Sequence, residues 1–263
     1  IEGYYENAKI NRVYVDRVHV KKAFAEYTAA YNADDPKIKL KIDHTYRVAA
    51  LCERIAKAAG MCAYDVELAW LSGMLHDVGR FEQIKRYNTF SDADSVDHAK
   101  FGADLLFKDG LISTFLKGMV KCTGYKSGAL EDRYSSDGVF LYDRLNKSDI
   151  EMLELAIRCH NMYRIPQGLN RREQAFCNVL RDADKVDIFK VNIDTPLEEI
   201  YNTTTEELMK RDITDEVLEA FDEEHCILKA IRRTPADTVI GHVSLAYELV
   251  YDESVRITVE QGY

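Results

Sequence analysis

The sequence predicts an all-α protein, and three observations support this prediction. Apolar residues recur every three or four positions through long windows, only four prolines interrupt the 263 residues, and strand-like alternation is scarce. The hydrophobic share of 46% is enough to bury a sizeable core. We therefore expect one helical domain over residues 1–263, with a core at about 38–190 and additional C-terminal helices at about 191–263.

The first part of the chain predicts a series of amphipathic helices. A helix over residues 15–31 ends at the segment 32–36, and a second helix runs from Ile42 until Gly60 stops it. Asp65 is suited to cap a third helix, whose apolar run ends at Leu75. These helices would pack on one another through their apolar faces.

The middle of the chain alternates loops and helices. Residues 81–96 are polar and irregular, which predicts a loop, and Asp97 then caps a helix that runs from His98 to about Phe107. Residues 111–120 have a helical pattern. Residues 121–146 mix glycines, aromatic residues and scattered charges, which predicts a long excursion without a helix.

Helical patterns dominate the rest of the chain. Ser148 caps a helix that leads to His160, and a strong amphipathic helix follows from Arg171 to about Val191. Further helices are predicted at residues 197–210, 216–232 and 237–250, before a polar tail.

Composition excludes some classes of partner and compartment. A formal net charge of −10 argues against binding long nucleic acid or an anionic membrane, because such binding requires a basic face. The apolar runs fall short of the roughly 20 residues that span a bilayer, and no basic-then-apolar leader opens the chain. The six cysteines are widely spaced, which indicates reduced thiols and a cytoplasmic location.

The pair His76-Asp77 stands at the end of the apolar run 68–75, before Gly79, which we expect to permit a sharp turn. Adjacent side chains on a helix point about 100° apart, so only a group placed between them can use both. A metal ion fits, because imidazole and carboxylate suit Mn, Fe, Ni, Zn or Mg. An isolated His-Asp pair is more often solvated at a helix end, so other ligands must decide.

Further candidate ligands stand at or near the ends of the predicted helices: His44, His98, His160 and Asp184. Helix ends allow polar side chains to converge without being buried in the core. With the His-Asp pair they give the order His, His-Asp, His, His, Asp. This set is large enough for two ions, with the carboxylate of Asp77 as a bridge.

The order of these residues resembles the HD-domain metal-dependent phosphohydrolase superfamily. The strings that carry the resemblance are His44-Thr45-Tyr46-Arg47-Val48-Ala49, Gly73-Met74-Leu75-His76-Asp77-Val78-Gly79-Arg80 and Ala183-Asp184-Lys185-Val186-Asp187. His98 and His160 resemble the subset of this family that binds a second ion. The chain lacks the Gly-Tyr-Pro motif of the cyclic-dinucleotide phosphodiesterases in that subset, and segment 121–146 departs from the small hydrolases of dinucleoside polyphosphates.

The resemblance implies an all-α, HD-domain-like helical bundle that binds two divalent ions, with Mn, Fe, Ni, Mg and Zn as candidates. His44, His76, Asp77 and Asp184 would hold the first ion, and Asp77, His98 and His160 the second. The implied activity is hydrolysis of a small, anionic, phosphate-containing substrate, such as a phosphate ester or a nucleotide, by a metal-activated water. Asp77 would be catalytic through the ions that it bridges.

Charged neighbours of the motif are candidates for supporting roles. Arg80 matches a position where the family often has Lys or Arg, so it would bind a phosphate oxygen and stabilise transition-state charge. Lys185, next to Asp184, is a weaker candidate for substrate binding, and either cation could instead form a surface ion pair. Asp187 is expected to orient a ligand, and Asp182 to be a charge on the helix surface.

Two rival functions remain open from the sequence. Myo-inositol oxygenase and related phosphonate-cleaving enzymes share a similar ligand set, so a di-iron oxygenase of the same fold is the alternative enzyme. A noncatalytic regulatory module that keeps the metal site is the other rival. The sequence leaves the substrate, the native metal and any homo-oligomeric state undetermined.

Overall fold

The computed structural model describes residues 15–32, 34–116, 145, 147–201 and 203–262. Every regular element within these ranges is a helix, which confirms the all-α prediction. The excursion predicted at residues 121–146 lies outside the described residues, except for Leu145. Among the described helices, none is long and apolar enough to cross a bilayer.

The elements follow one another along the chain as helices of very different length. They are α1 (Arg17–Thr28), α2 (Pro36–Ala58), α3 (Ala63–Leu75), α4 (Val78–Tyr87), α5 (His98–Ala103) with a π-helical turn at Asp104–Lys108, α6 (Ile112–Leu116), α7 (Lys147–Cys159), α8 (Arg171–Asp194), α9 (Leu197–Tyr201), α10 (Thr205–Met209), α11 (Asp215–Asp222), a 3-10 turn at Lys229–Ile231, α12 (Pro235–Val243), a 3-10 turn at Ser244–Glu248, and α13 (Asp252–Glu260).

The core lies between α2, α3, α7 and α8. Helix α2 packs most extensively on α3 and also contacts α8, which in turn contacts α7. The approach of α2 to α3 is close because Gly73 has no side chain, and a Cβ there would lie 2.6 Å from the Cα of Ala49. Fully buried apolar side chains from these helices, such as Val48, Leu71 and Phe176, fill the interior. This packing places the end of α3 beside α2, where His76 Nε2 lies 3.3 Å from His44 Nε2.

Two predictions on α3 and α4 need correction. The third helix begins at Ala63 after Cys62, so Asp65 lies in its first turn and does not cap it. Residues 78–87 form α4 rather than the start of a loop, because Val78, Phe81 and Ile84 are buried on one face of a helix. Charged residues between these positions conceal that face in the sequence.

The predicted C-terminal helices are shorter than expected. The segment predicted as one helix at 197–210 is divided into α9 and α10, because Thr204 accepts a hydrogen bond from the N–H of Glu207 and starts a new helix. The predicted helix 216–232 is reduced to α11 and a separate 3-10 turn.

The predicted polar tail is wrong, because residues 252–260 form α13. Its partner is Asp182 on α8, whose carboxylate accepts hydrogen bonds from the N–H groups of Val250 (2.9 Å) and Tyr251 (3.0 Å) and from the hydroxyl of Ser254 (2.8 Å). Asp182 is fully buried, so the prediction that it is a helix-surface charge is also wrong. Its role is to anchor the start of α13 on α8.

Candidate metal centre

The six predicted ligands converge on one buried site. His44 lies within α2, and His76 and Asp77 occupy the junction of α3 and α4. His98 is the first residue of α5, His160 follows α7, and Asp184 lies within α8. The four imidazoles and Asp77 are buried, whereas the side chain of Asp184 is 17% exposed. Six side chains that span 140 positions of the sequence therefore share one pocket.

One oxygen of Asp77 faces a first group of donors. Asp77 Oδ2 lies 3.5 Å from the Nε2 atoms of both His44 and His76. Asp184 Oδ1 lies 3.2 Å from His44 Nε2 and 3.8 Å from His76 Nε2. Two imidazole nitrogens and two carboxylate oxygens thus point toward a common centre.

The other oxygen of Asp77 faces a second group. Asp77 Oδ1 lies 3.5 Å from His98 Nε2 and 3.7 Å from His160 Nε2. These two nitrogens are 3.1 Å apart. The carboxylate of Asp77 therefore stands between two separate pairs of imidazoles.

Each imidazole is oriented by a hydrogen bond from its outer nitrogen. Nδ1 of His76 donates to the Gly73 carbonyl (2.8 Å), and Nδ1 of His160 donates to the Ile157 carbonyl (2.7 Å). Because a carbonyl oxygen only accepts, both Nδ1 atoms carry a hydrogen, and the inner Nε2 of each neutral ring presents a lone pair. A backbone turn at the end of α3 and another at the end of α7 therefore set the tautomers.

The other two imidazoles are held by carboxylates. His44 Nδ1 lies 2.6 Å from Asp187 Oδ2, and His98 Nδ1 lies 2.7 Å from Asp92 Oδ2. Arg47 holds Asp187 with two hydrogen bonds of 2.6 and 2.9 Å. Arg80 holds Asp92 with a single hydrogen bond of 2.9 Å from Nη1 to Oδ1. Each group of ligands thus contains one imidazole fixed by backbone and one fixed by an Asp–Arg pair.

Burial sets the protonation of the site. It lowers the pKa of His76 to about 4 and, together with Arg80, the pKa of His98 to about 3. Burial raises the pKa of Asp77, but Lys41 and the imidazoles outweigh it and hold that pKa well below its usual range. His44 differs: burial and Lys41 lower its pKa, yet its hydrogen bonds to Asp184 and Asp187 prevail and raise it. Near neutral pH His98 therefore presents a neutral imidazole to the ionised carboxylate of Asp77.

The residues fit divalent metal ions. The Nε2 lone pairs of His98 and His160 face each other, and Asp77 Oδ1 is buried without a hydrogen-bond partner. Buried acceptors that face one another without a hydrogen between them are costly unless a cation binds there. His44, His76 and Asp77 form one group that could hold an ion, and Asp77, His98 and His160 form another. Nitrogen and carboxylate donors of this kind suit Mn, Fe, Ni or Zn.

Arg80 and Lys185 were predicted to bind substrate, and the structure gives each of them a firm protein contact. Arg80 Nη1 donates to the side chain of Gln83 (2.8 Å), the carbonyl of Phe90 (2.7 Å) and Asp92. Lys185 is buried, and its ammonium donates to the Glu248 carbonyl (2.9 Å) in the C-terminal part of the fold. The ammonium of Lys185 is thus directed at the C-terminal part of the fold, and the phosphate contacts of Arg80 and Lys185 remain predictions.

Lys41 and Asp92 are functional candidates that the sequence did not reveal. Lys41 Nζ lies 2.8 Å from Asp77 Oδ2, and Asp92, which contacts His98 Nδ1, belongs to the segment 81–96 that was predicted to be a polar, irregular loop. Lys41 stands one helical turn before His44, which is a signal that could have identified it. No comparable spacing rule exists for Asp92.

Gly79 has a different role from the one predicted. Its backbone φ does not lie in the left-handed region, so the turn does not require glycine. A Cβ at this position would instead lie 2.5 Å from the carbonyl oxygen of His98 and 2.7 Å from the nitrogen of Gly102. Gly79 is therefore needed for the close approach of α4 to α5, which positions His98.

Comparison with known proteins gives one finding. The family model described as HD domain matches residues 42–189, which is more than half of the chain and includes all six converging residues. No curated protein and no solved structure matches the chain significantly.

Proposed function

The chain belongs to the HD-domain family, and from this premise we propose that it is a metal-dependent phosphohydrolase that acts on a small phosphate ester or a nucleotide. Members of this family are mostly metal-dependent hydrolases. The observation that carries the proposal is the placement of Asp77, whose two oxygens face two distinct groups of imidazoles. A carboxylate in this position could be shared by two neighbouring ions, which is an arrangement suited to two-ion phosphoryl transfer.

Each group of residues has a role in the proposal. His44, His76, Asp77 and Asp184 would hold one ion, and Asp77, His98 and His160 the other. The bound ions would supply Lewis acidity toward a phosphoryl group and a water nucleophile near neutral pH. The Asp187–Arg47 and Asp92–Arg80 pairs keep the imidazoles in place, so the donor atoms need no rearrangement.

The exposure of the site favours a small substrate. His76 and Asp77 are 0% and 2% exposed, whereas the side chains of Asp184 and Lys41 are 17% and 19% exposed. The centre therefore opens to solvent along the edge formed by Asp184 and Lys41. A buried centre with only partly exposed side chains at its edge suits a terminal phosphate group better than the backbone of a long nucleic acid, which also agrees with the net charge of −10.

A metal-reconstitution assay tests the proposal. Protein stripped with chelator is reloaded separately with Mn, Fe, Ni, Zn and Mg and incubated with nucleotides, sugar phosphates and simple phosphate esters in the absence of oxygen. We expect phosphate release by the wild type and by the Asp43→Asn variant, whose altered carboxylate is exposed on α2. Asp77→Asn should release none. Phosphate release by neither the wild type nor the control would overturn the proposal.

The number of ligands also suits a di-iron oxygenase, which is the second candidate. Four imidazoles and two carboxylates around one centre are the set expected for that class. Oxygen uptake by the iron-loaded protein, with no phosphate release under any metal, would favour it. Bound metal with neither activity would favour a regulatory module.

A further inference from the structure

Lys41 occupies the boundary between the metal centre and solvent. It lies on α2, and its Nζ is 2.8 Å from Asp77 Oδ2 and 5.8 Å from the centroid of the Phe90 ring. Its side chain is 19% exposed, whereas that of Asp77 is 2% exposed. The ammonium thus reaches the buried carboxylate from the open edge of the site.

Among the residues that the structure describes, the only ion pair of Lys41 is with Asp77, a carboxylate that bound metal ions would also use. The arginines hold the outer carboxylates, because Arg47 pairs with Asp187 and Arg80 pairs with Asp92. Lys41 shares Asp77 with the imidazoles that converge on it. Two divalent ions bring four positive charges, and Asp77 and Asp184 together offset two of them. Lys41 would add to this excess, which only an incoming anion can balance.

Two other cations near the site have firm contacts with protein acceptors, although Arg80 Nε has no hydrogen-bond partner in the described part of the chain and lies 3.8 Å from Asp77 Oδ1. Arg80 Nη1 already contacts three acceptors, from Gln83, Phe90 and Asp92. Lys185 is directed at the Glu248 carbonyl. Lys41 has a flexible stem and three donor hydrogens on its ammonium, of which the contact with Asp77 uses one.

We propose that Lys41 is the substrate-binding cation of this centre, and that its ammonium turns from Asp77 to the nonbridging oxygens of a phosphoryl group when the ions take up the Asp77 carboxylate. This inference rests on the phosphohydrolase function proposed above. It assigns to Lys41 the phosphate contact that the sequence suggested for Arg80 and Lys185. The ring of Phe90 lies beside both cations, with its centroid 5.8 Å from Lys41 Nζ and 5.6 Å from Arg80 Cζ.

Inorganic phosphate is a direct probe of this role. The manganese-loaded wild type, Lys41→Met and Lys39→Met are titrated with inorganic phosphate by calorimetry, and their metal content is measured in the same samples. Lys39 is a matched control, because it is an exposed lysine on the same helix and its loss changes the net charge equally. We expect Lys41→Met to raise the Kd for phosphate by about tenfold or more, as for loss of a charged hydrogen bond, with unchanged metal content. Lys39→Met should bind phosphate as the wild type does.

The outcomes separate this inference from the proposed function. Equal phosphate binding by Lys41→Met and the wild type would overturn the role of Lys41 and leave the phosphohydrolase proposal standing. Loss of metal from Lys41→Met, with phosphate affinity unchanged after full reloading, would show a purely structural contact with Asp77 and would also overturn it. Failure of the metal-loaded wild type to bind phosphate at millimolar concentration would overturn the role of Lys41, whereas the phosphohydrolase proposal is overturned by the absence of phosphate release in the reconstitution assay.

Discussion

Asp92 offers a test of whether the two groups of ligands act as separate ion sites. It accepts a hydrogen bond from His98 Nδ1 at 2.7 Å through one oxygen, and from Arg80 at 2.9 Å and Gln83 at 3.0 Å through the other. In Asp92→Asn one of these oxygens becomes an NH2 group, which must face either His98 or the Arg80–Gln83 pair. In both orientations a donor meets a donor, and the negative charge behind His98 is lost.

The expected size of the effect follows from the role of such supporting residues. Removing a carboxylate that orients a metal-bound histidine typically weakens metal binding by about 10- to 100-fold. This corresponds to about 1.4 to 2.8 kcal/mol. The loss should fall on the group of His98 and His160, because His44 and His76 have independent anchors in Asp187 and the Gly73 carbonyl.

Metal titration against a competing chelator measures the two affinities. We predict that Asp92→Asn keeps one ion at wild-type affinity and binds the other about 10- to 100-fold more weakly. Asp187→Asn is the matched control, since it removes the corresponding carboxylate behind His44 and should weaken the opposite site. The reasoning is refuted if both ions are held by Asp92→Asn at wild-type affinity, or if the two variants weaken the same site.

Three further predictions concern packing and pH. Gly79→Ala should lower both the Tm and the binding of one ion, since its Cβ would lie 2.5 Å from the His98 carbonyl oxygen; wild-type values of both would contradict this. Asp182→Ala should lower the free energy of unfolding by about 3 kcal/mol, because it leaves the buried donors of Val250, Tyr251 and Ser254 without an acceptor. Chemical denaturation measures this, and an unchanged free energy of unfolding would contradict the role of Asp182. Metal-free protein should lose stability as the pH falls from about 6.5 toward 4. Burial lowers the pKa of His76 to about 4, so in this range the histidine is protonated in the unfolded chain and neutral in the folded one. A Tm that does not change with pH in this range would contradict the prediction.

The convergence of the candidate ligands was implied by the resemblance to the HD-domain family, and helix ends in the pattern located four of them, whereas His44 and Asp184 lie within α2 and α8. His76 and Asp77 close an apolar helix, His98 opens a helix capped by Asp97, and His160 follows the helix that ends at Cys159. Local rules of capping and periodicity therefore located the side chains. Their pairing across Asp77 needed the coordinates, because it depends on how α2, α5, α7 and α8 pack.

Contacts that depend on distant partners could not be predicted. In the sequence, residues 252–260 have the pattern of a polar tail. They form α13 because Asp182 accepts a hydrogen bond from Ser254, which lies 72 positions later in the chain. Asp92 lacked a signal for the same reason, since its role is defined by Arg80 and His98 together. The contact of Lys185 with the Glu248 carbonyl could not be predicted either, since adjacency to Asp184 in sequence does not fix the direction of a side chain on a helix.

Anomalous diffraction from crystals grown with Mn²⁺ tests the central claim most directly. We predict two manganese peaks, one among His44, His76 and Asp184 and the other between His98 and His160, with one oxygen of Asp77 directed at each. A single peak on one side of Asp77, or no peak among these residues, would contradict the shared-carboxylate centre.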